Sequence, residues 1–180
     1  MRSRARANGL PQQAEGSLAT SWGRVWLLAG PRGLTRVALP PAGAIDDGAS
    51  ASPLEASRRL LDEAIKQLEA YFAGKLRHFT LPLDLAAGTP FERRVWQATA
   101  QIDYGRVRTY GELAALIGNP LGARAVGKAL GRNPVPVVVP CHRVIQQGGG
   151  LGGFSSGIDL KRKLLAHEGY LLDIVDGSDR

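Results

Sequence analysis

The sequence predicts a mixed α+β protein of two small domains, an N-terminal one built from strands and one helix and a C-terminal one that is mostly helical. Three observations predict it. Short apolar runs divided by Gly and Pro fill residues 17–39, apolar residues recur at helical spacing from Leu54 to Phe72, and Thr-x-x-Glu capping signals open two helical segments at Thr89 and Thr109. With 180 residues, 44% of them hydrophobic, the chain can bury a real core as one domain or two small ones.

Residues 1–16 mix Arg, Gln, Ala, Gly and Pro without apolar periodicity and are expected to form a mobile basic arm. Ser17 to Thr20, Arg24 to Ala29 and Leu34 to Leu39 suit an antiparallel meander, with turns at Trp22-Gly23 and at Gly30-Pro31-Arg32-Gly33. Residues 46–52 have loop composition. Pro53 then opens a helix in which Leu54, Leu60, Leu61, Ile65, Leu68 and Phe72 share a face, and Gly74 ends it. Phe79, Leu81, Leu83 and Leu85 alternate as in a strand. A boundary after Gly88 gives an N-terminal domain over 17–88 and a C-terminal domain over 89–180.

Thr89-Pro90-Phe91-Glu92 is a capping box for a helix running to about Ile102, and Thr109-Tyr110-Gly111-Glu112 is a second, for a helix that Gly118-Asn119-Pro120 must stop. The small, basic segment from Gly122 to Gly131 follows. Two short helices joined by a tight turn make either a helix-turn-helix or a plain packed hairpin. Val137-Val138-Val139 has the composition of a buried strand that delivers Pro140-Cys141-His142-Arg143-Val144. A glycine-rich loop over 147–153 leads to a last helix from Ile158 to Glu168, closed by Gly169.

Composition removes several functional classes. The single cysteine excludes an internal disulfide, a cysteine-based zinc cluster and a CxxC redox motif. No apolar run approaches the roughly 20 residues of a membrane span, and the basic start has no apolar signal core behind it. A soluble, cytoplasmic protein, nucleoid-associated if bacterial, is the expectation. From Arg93 to Lys163 there are eleven basic residues against three acidic ones, an excess larger than the whole chain's net +7, whereas the sequence from Leu164 onward is net acidic. A basic middle favours a polyanion such as DNA or RNA, against the alternative of a solvated surface with incidental charge.

Cys141 is the only thiol, and a histidine follows it. On an extended strand His142 would point to the opposite side and would act on the sulfur through a water. A thiol with an ordinary pKa needs a base, and the base an orienting carboxylate. Glu168 ends the last helix, where the dipole disfavours a carboxylate, so Cys141, His142 and Glu168 form a plausible thiol relay. The alternative is an inert buried cysteine.

Asn133-Pro134-Val135-Pro136, the apolar run and Pro140-Cys141-His142-Arg143-Val144 resemble the active-site signature of the O6-alkylguanine-DNA alkyltransferases, the methylated-DNA–protein-cysteine methyltransferases. Ala123-Arg124-Ala125-Val126-Gly127 and Lys163-Leu164-Leu165-Ala166-His167-Glu168-Gly169 are similar as well. The resemblance covers residues 89–169 closely and the N-terminal half in layout. It implies a ribonuclease-H-like N-terminal domain and a winged helix-turn-helix-like C-terminal domain carrying the active site.

The resemblance implies a single-use repair protein. Cys141 would take the alkyl group from O6 of a damaged guanine, His142 would be the base acting through water, Glu168 would hold the imidazole, and Tyr110 would return a proton to the departing guanine. Asn133 would tie the recognition helix to the cysteine segment. The nucleotide must be flipped out of duplex DNA, with Arg124 filling the space it leaves and Ala123, Ala125 and Gly127 lying close in the minor groove. Lys128, Arg132 and Arg94 are candidate phosphate contacts. Val144, Phe154 and Ser155 would line the guanine pocket; tyrosine is more usual in the family where this chain has Phe154, so the aromatic wall is kept and a hydroxyl contact is lost.

The expected partner is double-stranded DNA carrying O6-alkylguanine, with O4-alkylthymine open, the protein monomeric and cooperative assembly on DNA open. No cofactor and no metal are expected, because the cysteines of the family's zinc sites are missing. Two other readings stand beside this one: a non-catalytic lesion-binding protein with a structural thiol, and a thiol hydrolase using the same relay with multiple turnover.

Overall fold

The computed structural model describes residues 13–45 and 54–170. The expected loop over 46–52, most of the N-terminal arm and the acidic tail lie outside the described residues. Three strands, β1 (Ala14–Thr20), β2 (Gly23–Gly30) and β3 (Gly33–Ala38), form the antiparallel meander in the order β1-β2-β3. β1 starts earlier than the sequence suggests: Ala14, Glu15 and Gly16, assigned above to the arm, pair with Ala29, Leu28 and Leu27. The register places Ser17 opposite Trp26 and Trp26 opposite Ala38, with an irregularity between Leu28 and Ala29.

Helix α1 (Glu55–Phe72) lies across this sheet and buries Leu61, Ala64, Leu68 and Tyr71 against Val25, Leu27 and Ala29. Gly16 permits the close approach, since a Cβ there would sit 3.1 Å from Leu61 and 3.2 Å from Ile65. Gly74, at φ +70, stops the chain after α1 and donates to the Tyr71 carbonyl.

The alternating segment from Phe79 to Leu85 is extended but is not a ladder strand. It makes one parallel bridge, Leu34 with Leu83, through Leu34 N–H to Pro82 O and Asp84 N–H to Leu34 O. Pro82 has no N–H to give, which limits the pairing to this point. Leu81 is nevertheless buried, and Leu83 and Leu85 pack on the core, so the alternation reported burial and not pairing. The same edge of β3 also meets the second domain, because Val37 N–H donates to Pro134 O at 2.8 Å.

Both capping boxes form. Thr89 caps α2 (Pro90–Ala100) with Glu92 reaching back, and Thr109 caps α3 (Tyr110–Leu116) with Glu112 in the same role. α4 (Ala123–Gly131) packs on α2 and α3, giving the helix-turn-helix arrangement. Trp96 of α2 is buried and donates its indole N–H to Ala129 O of α4 at 2.8 Å, tying the two together.

Val137 to Val139 is not a strand. Pro134, Pro136 and Pro140 remove the donors a ladder needs, and the chain folds into a turn with Val139 N–H on Val135 O and Val137 at φ +75. For a β-branched residue that is a strained conformation, held by complete burial of the Val137 side chain. Cys141–Arg143 is a single 3₁₀ turn, so Cys141 and His142 are not on opposite faces of an extended strand as the sequence suggested. The two-residue strands β4 (Arg108–Thr109) and β5 (Val144–Ile145) pair in parallel, which sets Tyr110 beside the cysteine turn. Helix α5 (Ile158–His167) follows, with Glu168 as its C-cap and Gly169 at φ +77. Among the described residues no helix is long and apolar enough to cross a membrane.

Trp96→Phe removes the one bond that joins the indole to α4 and part of the ring's buried volume, leaving the Ala129 carbonyl with the Arg132 N–H alone. Stability in urea is expected to fall by about 1–3 kcal/mol; an unchanged unfolding midpoint would show that this bond does not fasten α2 to α4.

Candidate active site

A cleft of about 620 Å³ opens between α3, α4 and the glycine-rich loop, with Cys141 in its wall. That volume leaves ample room for a nucleobase with its substituent. Tyr110, Ala123, Arg124, Gly127, Lys128, Phe154 and Ser155 line it, as do Gln146, Leu130, Gly131, Gly152 and Gly153, which the sequence did not single out. Most of the expected residues therefore converge. Arg124, Ala125 and Lys128 are exposed on α4, but Ala125 is not part of the lining.

Gly152 lets the loop approach Tyr110: a Cβ there would come 2.9 Å from the phenol oxygen. Burial and the neighbouring Cys141 push the Tyr110 hydroxyl up, so it stays protonated and can act as a donor.

The thiol is buried. Burial pushes its pKa up, against the weaker opposing pull of the Asn133 amide and Lys161, so the resting sulfur is protonated. Asn133 is the organiser of this corner. Its Nδ2 donates to Val139 O at 2.8 Å and to Cys141 Sγ at 3.1 Å, while its Oδ1 accepts from Val135 N–H at 3.1 Å. One side chain thus fixes the turn and offers the sulfur a hydrogen bond that favours the thiolate.

His142 is fully buried behind the cysteine, and its Nε2 lies 2.8 Å from Glu168 Oε1. Burial alone would raise the Glu168 carboxyl, but the donors from His142 and Arg143 outweigh it and hold the group well below the usual carboxylate range. An ionised carboxylate only accepts, so Nε2 carries the proton and Nδ1 presents its lone pair. Nδ1 is the one buried side-chain nitrogen or oxygen among the described residues without a hydrogen-bond partner. Burial pushes His142 down, opposed by Glu168, which keeps the ring neutral and ready to accept a proton.

Sequence reasoning missed the surroundings of Glu168. Arg143 Nε and Nη2 donate to its two oxygens at 2.7 and 2.8 Å, the Gly105 N–H reaches Oε2 at 3.2 Å, and the Tyr71 hydroxyl donates to Oε1 at 2.7 Å. Lys161 was missed too. It is fully buried, donates to Val144 O at 2.6 Å and Leu151 O at 2.5 Å, and is brought down to about 8 by burial. It pins both ends of the loop that walls the cleft. An amphipathic-helix reading puts such a lysine in solvent, and no local signal marks it as buried.

Three expected residues sit elsewhere. Val144 is buried and outside the cleft lining, its carbonyl held by Lys161. Arg132 is paired with Glu92 at 2.9 Å and lines a separate cleft, so it would meet a phosphate already partnered. Arg94 is exposed on α2, away from the lining. Among the described residues no group of three or more His, Cys, Asp or Glu could hold a metal ion.

Comparison with known proteins agrees with this geometry. The family model for the 6-O-methylguanine DNA methyltransferase DNA-binding domain matches residues 90–170, and that for the ribonuclease-like domain of the same proteins matches residues 14–85. A methylated-DNA–protein-cysteine methyltransferase of Methanosarcina acetivorans is 54% identical over 107 residues, which is 59% of this chain and 68% of that protein. One from Mycolicibacterium paratuberculosis is 55% identical over 105 residues, covering 58% of this chain and 63% of its own length. Among solved structures, Mycobacterium tuberculosis OGT in complex with DNA superposes with a TM-score of 0.76 at 40% identity, over 86% of this chain and 91% of that one. The O6-methylguanine-DNA methyltransferase of Pyrococcus kodakaraensis gives 0.57 at 30% identity, over 87% and 99%. With both domain models matched in order along one chain, the protein belongs to the 6-O-methylguanine DNA methyltransferase family.

Proposed function

We propose that the protein repairs DNA by moving the alkyl group of O6-alkylguanine onto Cys141, once per molecule. The observation that carries this reading is the placement of the chain's only thiol in the wall of a cleft that can admit a base, with Asn133 on its sulfur and the His142–Glu168 pair buried behind it. The thiol proton passes through a bridging water to His142 Nδ1. Sulfur then attacks the alkyl carbon, the carbon–O6 bond breaks, and its electron pair stays with guanine. Tyr110, whose hydroxyl borders the cleft, protonates the departing base and is reprotonated at the expense of the imidazolium. The balance is one S–H and one O–alkyl bond exchanged for one S–alkyl bond and one guanine N–H. A thioether does not hydrolyse, so the protein is spent.

An alkyl group inside a duplex cannot reach a buried sulfur unless the nucleotide is extruded. Arg124 stands exposed on α4 at the rim of the cleft, placed to enter the stack as the base leaves, and the small residues Ala123 and Gly127 allow α4 to approach a narrow groove. Lys128 adds charge on the same helix. Lesion-containing duplex DNA is the proposed partner, and the protein is proposed to act as a monomer.

With duplex containing one O6-methylguanine in excess over protein, the repaired guanine is expected to stop at one per protein molecule; continuing turnover would indicate a hydrolase, and binding without repair a lesion-binding protein. Arg124→Ala is expected to slow transfer from duplex by about tenfold, the equivalent of about 1.4 kcal/mol out of the few kcal/mol that unstacking costs. Its reaction with the free base O6-benzylguanine should stay close to wild type. Equal losses on both substrates would remove Arg124 from base extrusion.

A further inference from the structure

Glu168 draws its donors from two domains. Gly105, His142 and Arg143 belong to the C-terminal half, but the shortest contact on Oε1, at 2.7 Å, comes from the hydroxyl of Tyr71 on α1, 97 residues away in sequence. Tyr71 is fully buried. Phe72, Tyr104 and His167 meet its ring edge-on at 5.2–6.2 Å, so the phenol has one available direction. A satisfied core hydroxyl needs only one acceptor, and a backbone carbonyl would serve. This one spends its bond on the carboxylate that orients the histidine.

Oε1 accepts from Tyr71 at 2.7 Å, His142 Nε2 at 2.8 Å and Arg143 Nη2 at 2.8 Å. A carboxylate oxygen has two lone-pair directions, so three donors compete for its charge. Among the described residues the His142 ring has no other hydrogen-bond partner, since Nδ1 is unpaired, so the Nε2 contact with Glu168 is the one hydrogen bond that opposes the effect of burial on its proton affinity. We propose that Tyr71 is a positioning residue for thiol activation: its hydroxyl fixes Glu168 and limits the charge that Oε1 presents to His142, so the N-terminal domain sets the pH range in which Cys141 can react. The inference rests on the alkyl-transfer reading for its consequence, while the effect on His142 itself is independent of it.

The other charged and titratable groups around the pair are accounted for. The Arg143 guanidinium is bound to both oxygens of Glu168, and burial holds the Tyr71 and Tyr104 hydroxyls protonated throughout the working range. Lys161, brought down to about 8, faces Cys141 and His142 from α5 and belongs to the alkaline side of any profile. His167 packs on the Tyr71 ring with Nε2 2.8 Å from the Tyr71 carbonyl, a contact that does not involve the hydroxyl. The acid limb is left to His142. Taking away the Tyr71 donor concentrates carboxylate charge on His142 and raises its proton affinity, so the ring is already protonated, and useless as a base, at a higher pH.

The test compares wild type, Tyr71→Phe, and protein with 3-fluorotyrosine at position 71, whose more acidic hydroxyl donates more strongly. Single-turnover transfer from an O6-methylguanine duplex is followed against pH, and the His142 ring is titrated by NMR in unreacted protein. For Tyr71→Phe, the acid limb and the ring midpoint are both expected to rise by about half a pH unit, which is about a threefold loss of rate on the acid side with the plateau nearly unchanged. The fluorinated protein should move the opposite way and decides alone if Tyr71→Phe does not fold. Coincident limbs and midpoints, or a uniform loss of rate at every pH, would overturn the proposal. If no protein, wild type included, accepts an alkyl group, the repair reading fails, and the NMR midpoints still decide the role of Tyr71.

Discussion

A charged carboxylate sits at the junction of the two domains, buried with its side chain out of water, and the rest of the active site is arranged around satisfying it. Removing such a charge from water costs on the order of several kcal/mol, and removing one partner afterwards leaves the penalty uncompensated. Glu168 therefore demands five donor contacts. They come from the cysteine turn, from Gly105 after α2 and from α1 of the N-terminal domain. The dipole of α5 opposes a negative charge at this position, which makes the Arg143 guanidinium and the neutral donors a structural necessity as well as a chemical device.

The same arrangement explains how a thiol used once can be kept unreactive until needed. Burial keeps Cys141 protonated, and the base beside it is neutral with its proton on the Glu168 side. Asn133 supplies a hydrogen bond that favours the thiolate without forming it. On the proposed mechanism, sulfur reactivity then depends on a substrate filling the cleft and on proton movement through His142, not on a standing thiolate exposed to solvent oxidants. Lys161 contributes by holding the loop between Val144 and Leu151 in place, a buried cation whose charge lies near the reacting sulfur.

Local chemistry in the sequence made much of this legible. Both capping boxes, the meander, part of the α1 face and the Cys141-His142 motif with Glu168 at a helix end were readable, because each is set by neighbours within a few residues. Leu54, expected on that face, is instead the exposed N-cap of α1, and Tyr71 is buried in its place. The failures are of another kind. Val137 to Val139 reads as a strand by composition, but three prolines take away its ladder donors and complete burial sustains a left-handed valine in a turn. The Phe79–Leu85 alternation is real and describes packing on a core without strand pairing. Tyr71 and Lys161 sit on helical faces where sequence periodicity predicts only burial or exposure. Their partners are 97 residues away for Tyr71 and 10 and 17 for Lys161, so their roles exist only after the chain has folded. Arg132 looked free because its partner Glu92 lies 40 residues back, on α2.

The central claim is that Cys141, activated by this buried pair, is the alkyl acceptor, and peptide mass spectrometry after reaction with O6-methylguanine duplex addresses it most directly. The account predicts one added methylene, confined to the peptide containing Cys141. A protein that binds the duplex yet gains no mass, or gains it on any other residue, would contradict it.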